Sequence, residues 1–144
     1  MAEPGTLYLT GTPIGNLEDM TYRAVRILQS VDLVAAEDTR RTRALLTHFD
    51  IHTRLVSYHE HNRRKSGEKL LAALQEGRSV ALVTDAGMPC ISDPGWELVR
   101  DARTAGVPVI VVPGPSAAVA AVALSGMDSS RWAFEGFLPV NRKQ

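Results

Sequence analysis

Residues 37–43 form a dense polar cluster in which two adjacent carboxylates are followed by three arginines. The cluster follows the apolar run Leu33–Ala36, which predicts a buried strand, and it opens a segment with helical spacing. Asp38 or Thr39 is expected to cap that helix, because short polar side chains accept hydrogen bonds from its first N–H groups. A cap does not explain Glu37, since a carboxylate that leaves a buried strand needs a partner or a ligand. Glu37 is therefore a candidate catalytic group.

Three segments rich in glycine and proline, residues 11–16, 84–95 and 113–117, each follow a predicted strand. Glycine removes the side chain and proline fixes the path, so such loops let backbone approach a ligand closely. Ligands of open parallel sheets bind beyond the carboxyl ends of the strands. Three such loops at one edge predict a ligand cleft.

Several familiar sites are excluded by spacing. Gly11 and Gly15 do not complete the dinucleotide motif, and no Gly-Lys-Ser/Thr sequence follows them. Ser116 lacks the flanking glycines of a hydrolase nucleophile. The pair in residues 59–61, His-Glu-His, has no further spaced ligands, so no metal site is predicted. We assign no reactive role to Cys90.

Positive charge is concentrated in one window although the whole chain is neutral, with sixteen basic and sixteen acidic residues. Residues 40–69 hold eight Lys or Arg against three Asp or Glu, together with all four histidines. Two interpretations of these residues remain: they form a solvated helix face, or they form a positive rim that binds a polyanion.

Strand and helix signals alternate along the whole chain. Short apolar runs predict strands at 7–10, 33–36, 55–58, 80–83 and 109–112. Helical spacing predicts helices at 21–31, 39–49 and 66–75, a fourth with Asp93 as N-cap and Pro94 at its first position, and a fifth from Ser116 to near Gly126. The alternation predicts an α/β domain with a five-stranded, mainly parallel sheet flanked by helices.

The 144 residues are 44% apolar and 22% charged, which is typical of one soluble globular domain. A single cysteine suits a reducing compartment, and the first residues lack the features of a secretion signal. No apolar run approaches the length of a membrane span. We therefore expect a cytoplasmic protein without a membrane partner.

Taken together, the motifs resemble the successive signatures of the tetrapyrrole-methylase superfamily of S-adenosylmethionine-dependent methyltransferases. The resemblance covers residues 5–139 and rests on these motifs in order: 7–9 (LYL) with 12–17 (TPIGNL), 36–40 (AEDTR), 57–62 (SYHEHN), 85–89 (DAGMP) with 91–95 (ISDPG), 113–117 (PGPSA) and 134–139 (FEGFLP). Within the superfamily these motifs are most similar to the branch that methylates the ribose 2′-hydroxyl of a cytidine in 16S ribosomal RNA.

The resemblance implies S-adenosylmethionine as cofactor and assigns residues to it. The implied donor contacts are Pro13, Ile14, Asp85, Gly87, Met88, Pro115, Ser116 and Ala117. The sequence departs from the family pattern at two positions, because Met88 stands where Thr is common and Thr84 where Ser is common. Candidates for a base that takes the ribose proton are Glu37, His59 and Glu60, and these three stay unranked.

The resemblance also implies partners and a domain arrangement. Arg40, Arg41 and Arg43 are the expected contacts to RNA phosphates, and 16S RNA or the small ribosomal subunit is the expected partner. A homodimer is expected as well. Residues 5–139 would be an N-terminal domain and residues 140–144 a polar tail that starts a C-terminal domain. Two rival functions remain open: methylation of a tetrapyrrole or other small molecule, and a non-catalytic domain that only binds the donor or dimerises.

Overall fold

The computed structural model describes residues 3–140, so residues 141–144 of the expected tail at 140–144 lie outside the described residues. Strands and helices alternate as predicted. The strands are β1 (Leu7–Thr10), β2 (Leu33–Ala36), β3 (Arg54–Ser57), β4 (Val80–Val83) and β5 (Val109–Val112). The helices are α1 (Tyr22–Ser30), α2 (Thr39–His48), α3 (Arg63–Gln75), α4 (Trp96–Thr104) and α5 (Ala117–Leu124), with a short 3₁₀ turn at Leu17–Asp19.

All five strands belong to one sheet in the order β3-β2-β4-β1-β5, and every pairing is parallel. Leu7 at the start of β1 pairs with Val80 of β4 on one side and with Val109 of β5 on the other. The predicted parallel sheet is confirmed. Because all strands point the same way, the loops that follow them gather at one edge.

Two layers of helices cover the sheet. On one face α1 and α2 bury Leu28 and Leu46 against strand residues such as Val34. On the other face α3 and α4 bury Leu74 and Leu98. β2 and β4 are buried along all four residues, as continuous apolar strands covered on both faces must be. The loops after β1 and β2 therefore lead to one face and those after β3 and β4 to the other, which leaves a crevice between them.

The β5 side of the sheet is apolar and exposed. Val111 in β5 keeps 49% of its surface and Leu124 in α5 keeps 89%. Every α5 side chain is exposed or half-buried, although the helix consists only of Ala, Val and Leu. Contiguous exposed apolar surface of this kind marks an interaction face.

The predicted start of α4 is wrong. Asp93 does not cap the helix and Pro94 is not its first residue, because α4 begins at Trp96 with Gly95 as N-cap. Gly95 has φ of +135°, and a Cβ there would lie 2.7 Å from Leu82 Cδ2. The chain must turn against the core at this glycine before the helix can begin. Asp93 is meanwhile held by Thr84, whose Oγ1 donates to Asp93 Oδ2 at 3.1 Å.

The boundaries of β3 and α3 also differ from the prediction. β3 lies one residue earlier than predicted, and α3 begins at Arg63 rather than Ser66. Asn62 causes the early start, since its side chain accepts from the His59 N–H at 2.8 Å and donates to Ser57 Oγ at 2.7 Å. This turn starts the helix three residues before the predicted first residue, Ser66. Among the described residues, the helices are too short or too polar to cross a bilayer.

Asp38 is the N-cap of α2, as expected, and its Oδ1 accepts from the Arg40 N–H at 2.9 Å and the Arg41 N–H at 3.3 Å. We predict that Asp38→Ala lowers the free energy of unfolding by about 1 kcal/mol, because two N–H groups lose their acceptor. Asp38→Asn should keep most of the stability, since Asn also caps. Urea denaturation of the three proteins checks this, and equal stability of Asp38→Ala and the parent would contradict it.

Candidate functional site

The three loops rich in glycine and proline meet at the carboxyl edge of the sheet. Gly11 after β1 lies against Gly114 after β5, where a Cβ on Gly11 would be 2.7 Å from the Gly114 Cα. Thr12 and Gly87 exchange two backbone hydrogen bonds of 3.0 Å in an antiparallel bridge. The predicted convergence of the loops is confirmed, and backbone contact is what requires the glycines.

The residues expected to bind the donor surround this junction but face two cavities. A small cavity of about 100 Å³ is lined by Gly87, Met88, Ser116 and Ala117. Pro13 and Asp85 instead line a larger cleft of about 430 Å³ that extends towards α2. Ile14 and Pro115 lie next to Gly87, between the two cavities. A Cβ at Gly87 would be 3.4 Å from Ile14 Cγ2 and 3.3 Å from the Pro115 carbonyl oxygen.

Two aromatic residues that were not expected from the sequence also line the small cavity. Phe134 and Phe137 line it together with Ile91, and Gly136 between them lies against the hydroxyl of Ser92. Residues 134–137 therefore turn back onto the loop after β4. The FEGFLP motif was the available signal, but nothing in its pattern tells where the segment packs.

Ser116 is the N-cap residue of α5, yet its side chain makes no capping hydrogen bond. The first N–H groups of α5 therefore lie beside the small cavity, and the Ser116 side chain does not accept a hydrogen bond from them. Free N–H groups at a helix N-terminus attract carboxylates and phosphates.

A group of carboxylates lies beside the junction. Burial raises the pKa of Glu37 above its ordinary value of 4.5, and the charges of Asp85, Asp93 and Glu60 raise it further, while His59 lowers it. Asp85 also links two loops, because its Oδ1 accepts from the Asp38 N–H at 3.2 Å. The structure thus brings the three base candidates into one electrostatic group.

Asp93 is a member of this group that the sequence placed elsewhere, as a helix cap. Burial raises its pKa above the ordinary value of 3.8, the hydrogen bond from Thr84 lowers it, and the charge of Asp85 raises it. A carboxylate inside a Gly/Pro loop after a central strand was the signal that could have found it.

The two histidines of the His-Glu-His motif, His59 and His61, contact each other. His59 Nδ1 accepts from the His61 N–H at 3.1 Å, and the two ring centroids lie 5.9 Å apart. Within residues 3–140 no three His, Cys, Asp or Glu side chains are grouped so as to hold a metal ion. Burial raises the pKa of the Cys90 thiol to about 11, so it is a neutral packing residue at physiological pH.

Arg40, Arg41 and Arg43 are exposed on the first turns of α2. Arg41 lines the 430 Å³ cleft with His48, and its Nε lies 3.9 Å from Asp38 Oδ2. Positive side chains are unfavourable at a helix N-terminus, where the backbone dipole is itself positive. Their presence there favours an anionic ligand over a purely structural role.

The sequence matches the family described as Tetrapyrrole (Corrin/Porphyrin) Methylases over residues 6–138. The chain belongs to this family. A solved structure of uroporphyrin-III-C-methyltransferase from Thermus thermophilus superimposes with a TM-score of 0.65 at 29% identity, covering 88% of this chain and 54% of that one. The family match covers the loop motifs, and the superposition covers most of the chain that forms the sheet.

Curated relatives named ribosomal RNA small subunit methyltransferase I match nearly the whole chain. That of Halalkalibacterium halodurans is 58% identical, with 99% of this chain and 49% of the relative aligned. That of Escherichia coli O157:H7 is 55% identical, with 96% and 49% aligned, and that of Thermotoga maritima is 53% identical, with 94% and 61% aligned. The chain thus spans about half the length of most curated relatives it matches.

The raised pKa of Glu37 makes stability depend on pH. Above its folded-state pKa the ionised carboxylate destabilises the fold, whereas below the ordinary value of 4.5 the group is neutral in both states. We predict that Glu37→Gln is more stable than the parent at pH 7 to 8, and that its advantage disappears as the pH falls below about 4.5. Thermal or urea unfolding across this range measures the difference.

Glu68→Gln is the matched control, because Glu68 is exposed on α3. This substitution removes one carboxylate that is not part of the group around Glu37. A pH-independent difference between Glu37→Gln and the parent would contradict the prediction, because it would mean that neither burial nor the neighbouring carboxylates raise the pKa of Glu37.

Proposed function

We propose that the protein transfers a methyl group from S-adenosylmethionine to the ribose 2′-hydroxyl of a cytidine in 16S ribosomal RNA. The observation that carries this proposal is the junction of three Gly/Pro loops beside Glu37. Relatives named ribosomal RNA small subunit methyltransferase I, at 50–58% identity across nearly the whole chain, support it.

The residues at the junction fit the donor. The backbone contact between Gly11 and Gly114 brings the loops after β1 and β5 together beside the small cavity, and the N-terminus of α5 offers N–H groups to a carboxylate. Met88 and Ala117 supply apolar surface, and Asp85 supplies a carboxylate for hydroxyl or amino groups. When bound, S-adenosylmethionine supplies an electrophilic methyl group.

Glu37 is the proposed base. A ribose hydroxyl is a poor nucleophile, so a positioned group that accepts its proton accelerates the transfer. The raised pKa of Glu37 brings its basicity closer to neutral pH, where a general base works best. His59 and Glu60 influence the same carboxylate and are the alternative bases.

The RNA would be held by phosphate contacts. Arg41 lines the cleft, and Arg40 and Arg43 are exposed on the same helix. Guanidinium groups bind phosphates through paired hydrogen bonds. The 430 Å³ cleft beside Arg41 lies at the same edge as Glu37. A ribosomal RNA substrate implies a cytoplasmic protein.

The exposed apolar side of β5 and α5 supports two further parts of the proposal, a second domain and a homodimer. Residues 5–139 would be the N-terminal domain, in line with relatives about twice as long. Donor and RNA would then bind between this domain and the rest of the protein.

The test is methyl transfer from labelled S-adenosylmethionine to small ribosomal subunits or their 16S RNA by the full-length protein. We predict that Glu37→Gln retains donor affinity by calorimetry and lowers the transfer rate by ~10²–10⁴-fold, the usual contribution of a positioned base. Glu68→Gln, remote on α3, should transfer at the parental rate.

Two results would contradict the proposal at different points. Near-parental transfer by Glu37→Gln would reassign the base to His59 or Glu60. Transfer to a uroporphyrin-type tetrapyrrole but not to RNA would favour the small-molecule function of the structural relative.

The arginines at the start of α2 allow a separate prediction. Replacing Arg40, Arg41 and Arg43 by Ala should weaken 16S RNA binding and flatten its dependence on salt, by about one unit of log–log slope or less for each phosphate that the protein no longer neutralises. Fluorescence anisotropy over a range of salt concentrations measures both quantities.

The matched control removes three exposed arginines elsewhere, by changing Arg23 and Arg26 of α1 and Arg103 of α4 to Ala. Equal RNA affinity and equal slope in the two triple variants would mean that the α2 arginines form only a solvated helix face.

A further inference from the structure

A second basic site lies away from the proposed methylation site, along the outer strand of the sheet. β3 is the last strand on its side, and a cleft of about 220 Å³ opens between it and α3. Arg54 at the start of β3, Lys69 in the middle of α3 and Arg78 before β4 stand around this cleft. All three side chains are exposed, and apolar residues such as Val56 and Leu70 line the interior.

The three cations have no acidic counterpart in the cleft. No Asp or Glu is among its lining residues, and in the described part of the chain no salt bridge within 4 Å includes Arg54, Lys69 or Arg78. Asp32 and Asp50 line a neighbouring cleft with Arg54, but each has another partner: Asp32 Oδ2 accepts from the Ser79 N–H at 2.8 Å, and Asp50 Oδ1 lies 2.8 Å from His52 Nε2. The cleft therefore presents uncompensated positive charge.

The groove on the other side of α3 is different. It has a volume of about 350 Å³ and also carries three arginines, but each has a carboxylate partner. The pairs are Arg63–Glu97 at 3.4 Å, Arg64–Glu68 at 3.9 Å and Arg100–Asp101 at 3.0 Å. The positive charges of the 350 Å³ groove are thus neutralised by carboxylates of the protein, whereas those of the 220 Å³ cleft are not.

Protection of an exposed sheet edge explains only part of this arrangement. Charged side chains on outer strands prevent edge-to-edge association, and Arg54 alone would serve that purpose. Lys69 and Arg78 come from a helix and a loop, and they converge on the same cleft. Three elements that each contribute one cation are typical of an anion-binding surface.

We propose that this cleft binds the sugar–phosphate backbone of an RNA strand outside the methylation site. The inference rests on the proposed function for its choice of RNA over an acidic protein. It also rests on position, because β3 leads from the cleft to the carboxyl edge over about 13 Å, four residues at ~3.3 Å each. A strand bound here is therefore close enough to enter the catalytic edge.

The test uses the full-length protein and an unstructured uridylate oligonucleotide. Changing Arg54, Lys69 and Arg78 together to Gln should weaken binding at least about tenfold at low salt and reduce the log–log salt slope by about two, at ~0.7 for each phosphate bound. Lys69→Gln alone should give about a third of the slope change, so the test survives if the triple variant folds poorly. The control changes Arg23, Arg26 and Arg103 to Gln and should leave both quantities near the parental values.

Equal binding by the two triple variants would overturn the inference. So would loss of binding to polyglutamate with unchanged binding to the oligonucleotide, because the cleft would then serve an acidic protein. The outcome is separable from the proposed function. Cleft-dependent RNA binding without methyl transfer refutes only the activity, and methyl transfer with cleft-independent binding refutes only this site.

Discussion

The contact between Gly11 and Gly114 is the constraint on which the site depends. It joins the loop after β1 to the loop after β5 through backbone alone, because a Cβ at either position would lie within about 3 Å of the other chain segment. The Thr12–Gly87 bridge ties the loop after β4 to the same place. Parallel strands bring their carboxyl ends to one edge, but only these backbone contacts turn the edge into a shaped junction.

The carboxylates at this junction form an arrangement that lowers stability at neutral pH, because like charges are held together in a partly buried place. Burial raises the pKa of Glu37, and the charges of Asp85, Asp93 and Glu60 raise it further. Burial also raises the pKa of Asp93, and the charge of Asp85 adds to that increase. A fold selected only for stability would separate like charges or pair them with the nearby arginines. Those arginines instead face outward, where an anion can reach them.

Most of the fold could be predicted from sequence because its strands are short apolar runs between clear turns. β4 is the simplest case, since Val80–Val83 is apolar throughout and buried on both faces. The start of α4 could not be predicted, because a tertiary hydrogen bond from Thr84 holds the residue that local pattern makes a cap. The loop convergence was also predictable, whereas the packing of Phe134 and Phe137 onto the site was not, since no local rule tells where a returning segment lies.

The order of the strands in the sheet has a consequence for how the chain is made. β1 emerges first from the ribosome, yet both of its neighbours, β4 and β5, are encoded much later. Until Val109–Val112 has been synthesised, β1 lacks one of its two neighbours, and the unpaired N–H and C=O groups along that edge stay available to other chains. Long-range parallel pairing of this kind also folds slowly. The order of the strands thus gives the partly made chain an open sheet edge that closes only when the fifth strand is in place.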